Sequence, residues 1–432
     1  MKLILKGGHV IDPANGIDQV ADVLIEDGKI AQVGTDITAE GAEIKDVTGK
    51  VVAPGFIDLH MHLREPGLEA KEDMQTATQA AAAGGFTTIS CMPNTKPVVD
   101  SLVLVNGLKQ RAQEVGITKV QVIGAVSKGQ KGEELAELGD MCQAGVMAFS
   151  DDGHYVNNSN LFMNALDYVV PFGKRIISHA EVHSLVCDGH MHEGARSAML
   201  GVKGRPSVAE DIAVARDLLI ADYIGGKVHI AHVSTKGAVE LIRQAKARGI
   251  DVTAEVTPHH LSLTDEIVTM ANTATKVNPP LRSRDHVEAM IQGLKDGTID
   301  AIATDHSPHA FEEKDREYCF APSGFSGLET ALGVVLTHLY HTGLFTLSEV
   351  VDRMTAAPAR VMDLAEGTLS VGAPADVVVF DPDAEWTVDP KEFYTKAKMT
   401  PYEGMKLKGK AVITLVNGKV VMENGQITAS CL

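Results

Sequence analysis

Six side chains in this sequence have the types and spacing of metal ligands. His60 and His62 sit two apart in the run GFIDLHMH. Side chains two apart on a strand point the same way, so both imidazoles can reach one ion. Asp152 closes the run GVMAFSDD, His179 lies near the end of RIISHAE, His232 in VHIAHVS, and Asp305 near the end of IDAIATDH. Taken singly, each has an ordinary explanation. HxH can be two packed rings, a lone strand histidine is more often a satisfied core residue, and an aspartate beside a turn can cap a helix. Arg64 could serve a surface ion pair, and Asn94, before Thr-Lys-Pro, could shape a turn. Together the six resist those explanations, because burying four imidazoles and two carboxylates side by side without a cation is costly. Imidazole nitrogen and carboxylate oxygen in this number suit two divalent ions, zinc first. Such a pair activates water and polarises a carbonyl at once. Asp305, touching one ion, could also move the proton.

The elements that must bring these residues together are eight apolar β-like runs: GFIDLHMH, TTISCMPN, VQVIGAV, GVMAFSDD, RIISHAE, VHIAHVS, VTAEVTPHH and IDAIATDH. Between them lie segments of helical spacing such as SVAEDIAVARDLLIADYIGG and TKGAVELIRQAKARG, often stopped by Gly. Strands rich in Val, Ile and Ala on both faces are what a buried parallel sheet requires. Eight strand–helix units over residues 54–365 predict an α/β chain with a (β/α)8 TIM-type barrel. An open doubly wound sheet is the alternative, but no GxGxxG follows an early strand. In a barrel, functional groups collect at the C-terminal ends of the strands. The six candidates occupy the ends of five of the eight. His229 is an odd number of residues from His232, so alternation predicts that it faces the other way, as a packing or hydrogen-bonding residue. His154, His183, His190 and His192 fall in connections and read as bystanders.

Residues 1–53 and 366–432 read differently, as short strands broken at Gly, Asp and Asn-Gly turns. Two all-β ends around one long middle predict a small β-sandwich domain formed by both. The 432 residues exceed one compact core, in keeping with a large domain plus a smaller one. A net charge of −18 argues against a nucleic-acid partner, yet one arginine in a cleft can still hold a carboxylate. Five widely spaced cysteines without CxxC fit reduced thiols and predict a cytoplasmic protein. No run approaches a membrane span, and the N-terminus lacks the apolar stretch of a signal peptide.

The motifs GFIDLHMHLREPG (55–67), GGFTTISCMPNTKP (84–97), SDDG (150–153), SHAE (178–181), AHVST (231–235), TAEVTPHHLSLT (253–264), KVNPPLRS (276–283) and IATDHSPH (302–309) resemble the amidohydrolase superfamily. Within it they are most similar to the dihydroorotases of the long bacterial type, over nearly the whole chain. The resemblance implies that His60 and His62 bind one zinc, that Asp152 bridges two, and that His179 and His232 bind the second. Asp305 would bind the first zinc and act as the acid/base. Arg64, Asn94 and Asn278 would hold the substrate, with its carboxylate on Arg64 and Asn94. His309 would touch the same end, and Ser323 and Gly324 would meet the ring through backbone groups.

The implied reaction is reversible hydrolysis of (S)-dihydroorotate to N-carbamoyl-L-aspartate, a step of pyrimidine synthesis. A homodimer is common among such relatives, and an association with aspartate carbamoyltransferase is possible. Many relatives bridge their metals with a carboxylated lysine on the fourth strand. The run Gly145 to Asp152 has no lysine, which narrows the choice away from hydantoinases and allantoinases. Many also carry an aromatic residue where Ser323 stands. Three rival readings are another cyclic-amide hydrolase, a non-catalytic partner of aspartate carbamoyltransferase, and a purely structural barrel. The six filled ligand positions argue against the last two, and Arg64 and Asn94 against the first. The stretch from Phe311 to Pro322 reads as a polar, mobile lid.

Overall fold

The computed structural model describes residues 2–431. Eight parallel strands form its centre: Phe56–Met61, Phe86–Cys91, Lys119–Val122, Phe149–Ser150, Arg175–Ser178, Lys227–Ile230, Val252–Val256 and Ala301–Ile302. The first three pair in order, and so do the last five. Two parallel bridges close the ring, Gly124 with Phe149 and Met61 with His306. The (β/α)8 barrel expected from the eight runs is therefore present.

The strands are short and mostly buried, as a parallel barrel demands, with only Lys119–Val122 half-buried along most of its length. One apolar cluster fills the space between strands and helices; Val228 and Val252 pack there with Val214, Leu218 and Ile242. A second cluster gathers Ile57, Ile123, Ile177, Ala231 and Ala301 with Val361 and Met362, at the end of the helix Ala356–Val361. The helices begin and end by local chemistry. Asp73 accepts a hydrogen bond from Thr76 N at the start of Met74–Ala83, and Gly225, at φ 71°, ends Val208–Ile224 in the left-handed conformation.

The two chain ends meet in one nine-stranded sheet, whose strands lie within residues 2–54 and 377–427. The seam is antiparallel: Val51–Pro54 runs beside Val377–Thr387, with Phe380 opposite Val51 and Val377 opposite Pro54. Leu3, Leu5, Val10, Val23, Val52 and Val377 form its core. Among the described residues no helix is long and apolar enough to cross a membrane.

Candidate metal centre

Asp152 stands between all four histidines. Its Oδ1 lies 3.3 Å from His60 Nε2, 3.3 Å from His179 Nδ1 and 3.7 Å from His232 Nε2, and its Oδ2 lies 3.5 Å from His62 Nε2. Asp305 Oδ1 approaches His62 Nε2 at 3.1 Å and His60 Nε2 at 3.7 Å. Two overlapping groups have donor atoms close enough to share one ion: His60, His62 and Asp305, and His60, Asp152 and His232. His179 adjoins the second group, with its Nδ1 2.9 Å from His232 Nε2.

The chemistry of this donor set fits a cation. His60 Nε2 and Asp152 Oδ1 are buried without a hydrogen-bond partner, a costly state unless a cation satisfies them. The opposite ring nitrogens are engaged from outside. His60 Nδ1 lies 2.6 Å from Glu255 Oε1, and His62 Nδ1 lies 2.9 Å from Asn94 Oδ1. A protonated Nδ1 donates to each of those oxygens, which turns each Nε2 toward the centre, bare when the ring is neutral. Burial works to raise the Asp305 carboxyl, but the hydrogen bond from His62 and the charge of His60 outweigh it. Asp305 is therefore held below the usual carboxylate range, in the form that accepts a proton. Burial likewise opposes ionisation of Glu255, yet His60 and His229 hold it low.

Three residues of the site have a left-handed backbone that L side chains rarely adopt: Arg64 at φ 64°, His232 at φ 30° and Asp305 at φ 47°. Such conformations cost about 1–3 kcal/mol each and persist where the surroundings enforce them. At His232 the turn has a visible result. The strand ends at Ile230, so alternation no longer governs His232, and His229 does not face away as its spacing predicts. His229 Nε2 lies 3.1 Å from Glu255 Oε2 and its Nδ1 2.8 Å from Thr253 Oγ1. It thus stands one layer behind the candidate ligand His60, on the same carboxylate.

Arg64 forms the cationic side of the same mouth. It is buried, donates from Nε to Pro308 O at 3.1 Å and from Nη2 to Ser307 Oγ at 3.0 Å, and has His309 Nε2 3.4 Å away. Burial lowers it only to about 10, so it stays charged. Burial and the neighbouring Arg64 push His309 down to about 2, leaving it neutral, and its Nε2 donates to Ser323 O at 2.8 Å. Gly324 N donates to Lys276 O at 2.8 Å and Gly324 O accepts from Lys314 Nζ at 2.8 Å. Asn278 Nδ2 lies 3.1 Å from His179 Nε2, while its Oδ1 accepts from Arg205 Nη1 at 2.5 Å. Asn94 and Asn278 thus adjoin the six candidate donors through His62 and His179, while Arg64, His309, Ser323 and Gly324 form a second set around Ser307.

Several contributors escape a reading of the sequence. Glu255 orients His60 and His229. Asp58 accepts from Thr304 N at 2.8 Å and Thr304 Oγ1 at 2.5 Å, tying the first strand to the segment that carries Asp305; burial raises its carboxyl to about 7. Arg205, paired with Glu181 at 3.2 Å, fixes Asn278. Asp58 is two residues before His60, so the alternation that marks HxH extends to it. Glu255 is a lone carboxylate in the apolar run VTAEV, where only a buried partner accounts for it.

A family model described as Dihydro-orotase-like matches residues 49–238, and one described as Amidohydrolase family matches 327–422. A dihydroorotase from Pelotomaculum thermopropionicum is 53% identical, over 98% of this chain and 99% of its own length. One from Syntrophotalea carbinolica is 50% identical, over 97% and 99%. Among solved structures, an L-hydantoinase (dihydropyrimidinase) from Arthrobacter aurescens superposes with a TM-score of 0.90 at 28% identity, covering 99% of this chain and 97% of that one. A D-hydantoinase (dihydropyrimidinase) from Thermus sp. gives 0.85 at 26%, covering 99% and 96%. The fold is thus shared with cyclic-amide hydrolases at large, while identity of about half along nearly the full length is shared with one group of them: the chain belongs to the dihydroorotase family.

Proposed function

We propose that this chain interconverts (S)-dihydroorotate and N-carbamoyl-L-aspartate in pyrimidine synthesis. The observation that carries this reading is Arg64, a buried, charged guanidinium within the same mouth as the metal donors. A hydantoin or a dihydropyrimidine without a ring carboxylate would leave that charge unmatched, and a site built for a polar partner discriminates strongly against its absence.

His60, His62 and Asp305 would hold one zinc, and His179 and His232 a second, with Asp152 between them. Two zinc ions there would supply an activated water and polarise the scissile carbonyl. The protein's own groups do the rest. Arg64 and Asn94 grip the ring carboxylate, with His309 at the same end, which fixes the ring amide over the donor cluster. Asn278 and the backbone of Ser323 and Gly324 border the ring. Asp305, ionised, takes a proton from the attacking water and returns it to the ring nitrogen as the C–N bond breaks. Hydroxyl adds to the carbonyl carbon, the nitrogen gains hydrogen, and a second carboxylate appears. In the synthetic direction Asp305 runs the same transfers backwards.

Five free thiols support a reducing compartment, the cytoplasm. Exposed Val208, Ile212, Leu219 and Tyr223 along one side of the helix Val208–Ile224 support a homodimer, since a solvated helix face is ordinarily polar. Association with aspartate carbamoyltransferase is a second partnership to test, by co-purification. The substrate is tested by offering dihydroorotate, dihydrouracil and hydantoin to the zinc-loaded protein. Turnover confined largely to dihydroorotate is expected; equal or better turnover of the uncharged rings would replace this reading with a general cyclic-amide hydrolase.

A further inference from the structure

Lys314 lies in the loop that follows the eighth strand, a stretch whose composition suggests a mobile polar lid. Instead Lys314 is 1% exposed, as is Tyr318. Its ammonium donates to two carbonyls, Pro322 O at 2.9 Å and Gly324 O at 2.8 Å. Burial, together with the charge of Lys276, pushes it down to about 7. A buried ammonium is costly to keep, and filling space does not account for it, since methionine would fill the same volume.

Its contacts suggest what it does. The carbonyl between the two, Ser323 O, accepts from His309 Nε2 at 2.8 Å. Three successive carbonyls are therefore held alternately, by Lys314, His309 and Lys314. Gly324, at φ 125°, packs against Ser307 so closely that a Cβ there would lie 2.5 Å from Ser307 O. Ser307 Oγ in turn accepts from Arg64 Nη2 at 3.0 Å. The loop thus bears on Arg64 through Ser307. Lys276 Nζ tethers the same loop further out, at Cys319 O, 2.9 Å away.

We propose that Lys314 is a positioning residue for recognition of the substrate's ring carboxylate: it fixes Pro322 and Gly324 so that Ser307, packed against Gly324, holds Arg64 in its binding pose. The proposal rests on the dihydroorotate reading. Removing the ammonium would orphan the buried Gly324 carbonyl and the half-buried Pro322 carbonyl at once and release the loop from Arg64, while the candidate metal donors, held by Glu255 and Asn94, would stay in place.

The test compares the zinc-loaded wild type with Lys314→Met, Lys314→Gln and Arg64→Met, alone and combined, for KM, kcat, metal content and melting temperature. Lys314→Met is expected to raise KM for dihydroorotate about tenfold with kcat within about threefold and metal content unchanged, the split that marks lost substrate binding. Lys314→Gln, which keeps one donor, falls between the two and decides the matter if the Met variant does not fold. In an Arg64→Met background the Lys314 substitution changes KM less than about twofold, because the two act through one group. A lowered melting temperature with wild-type KM, or a KM effect undiminished in that background, overturns the proposal. A wild type that does not hydrolyse dihydroorotate overturns the substrate reading itself, and this assignment with it; wild-type turnover alongside an unaltered Lys314 variant overturns only the latter.

Discussion

Glu255 Oε1 lies 2.6 Å from His60 Nδ1, beneath the candidate metal donors, and the same carboxylate reaches His229 through Oε2 at 3.1 Å. This contact decides which nitrogen of His60 is bare. Outer-sphere carboxylates of this kind fix a ligand's tautomer, and their loss typically costs about 10–100-fold in metal affinity. Glu255→Gln is therefore expected to keep the fold and lower zinc affinity by roughly that factor, read by competition with a chromogenic chelator. Unchanged affinity would mean that Glu255 is a packing residue.

Asp305 is the proposed proton carrier. Asp305→Asn retains size and one oxygen but cannot take the proton. Its kcat should fall by about 10²–10⁴, the usual reach of general acid–base catalysis, with the melting temperature near that of the wild type. Turnover within a few-fold of wild type would assign the proton transfer elsewhere.

Removing the guanidinium should be felt in binding. Hydrogen bonds to charged groups contribute about 1.5–3 kcal/mol, so Arg64→Met should raise KM for dihydroorotate roughly 10–100-fold. Metal content should not change, because Arg64 donates to Ser307 and Pro308 rather than to a candidate ligand. An unaltered KM would place the carboxylate elsewhere.

Glu329 gives a stability prediction with a definite sign. Burial raises its carboxyl to about 8, although Tyr394 N and Thr395 N both donate to it. An unfolded glutamate titrates near 4.3. Between that value and about 8 the folded state therefore keeps a proton that the unfolded state has lost. This group's contribution to stability is full below the unfolded value, declines as pH rises through the window, and levels off above it. Glu329→Gln removes that slope. The melting temperature of the variant relative to wild type should rise from pH 5 to pH 8.5; a constant difference would show that Glu329 does not titrate in this range.

The barrel is legible in the sequence as eight apolar runs separated by helical segments, and His60, His62, Asp152, His179, His232 and Asp305 are visible there because they end strands. What stays hidden lies where local patterns stop. Alternation puts His229 on the wrong face because the strand ends at Ile230, and the left-handed backbone at His232 turns that side chain back. Glu255 and Asp58 can be named only from their partners on distant segments, Glu255 with His60 and Asp58 with Thr304. Lys314 reads as a surface residue by type, and only the carbonyls of Pro322 and Gly324 explain its burial.

The most direct test of the account follows dihydroorotate hydrolysis by loss of ultraviolet absorbance, with metal content measured on the same sample, before chelation, after it and after return of zinc. Turnover is expected to disappear with the metal and to return with zinc. Turnover that survives complete removal of metal, or a zinc-loaded protein inert toward dihydroorotate, would contradict the account.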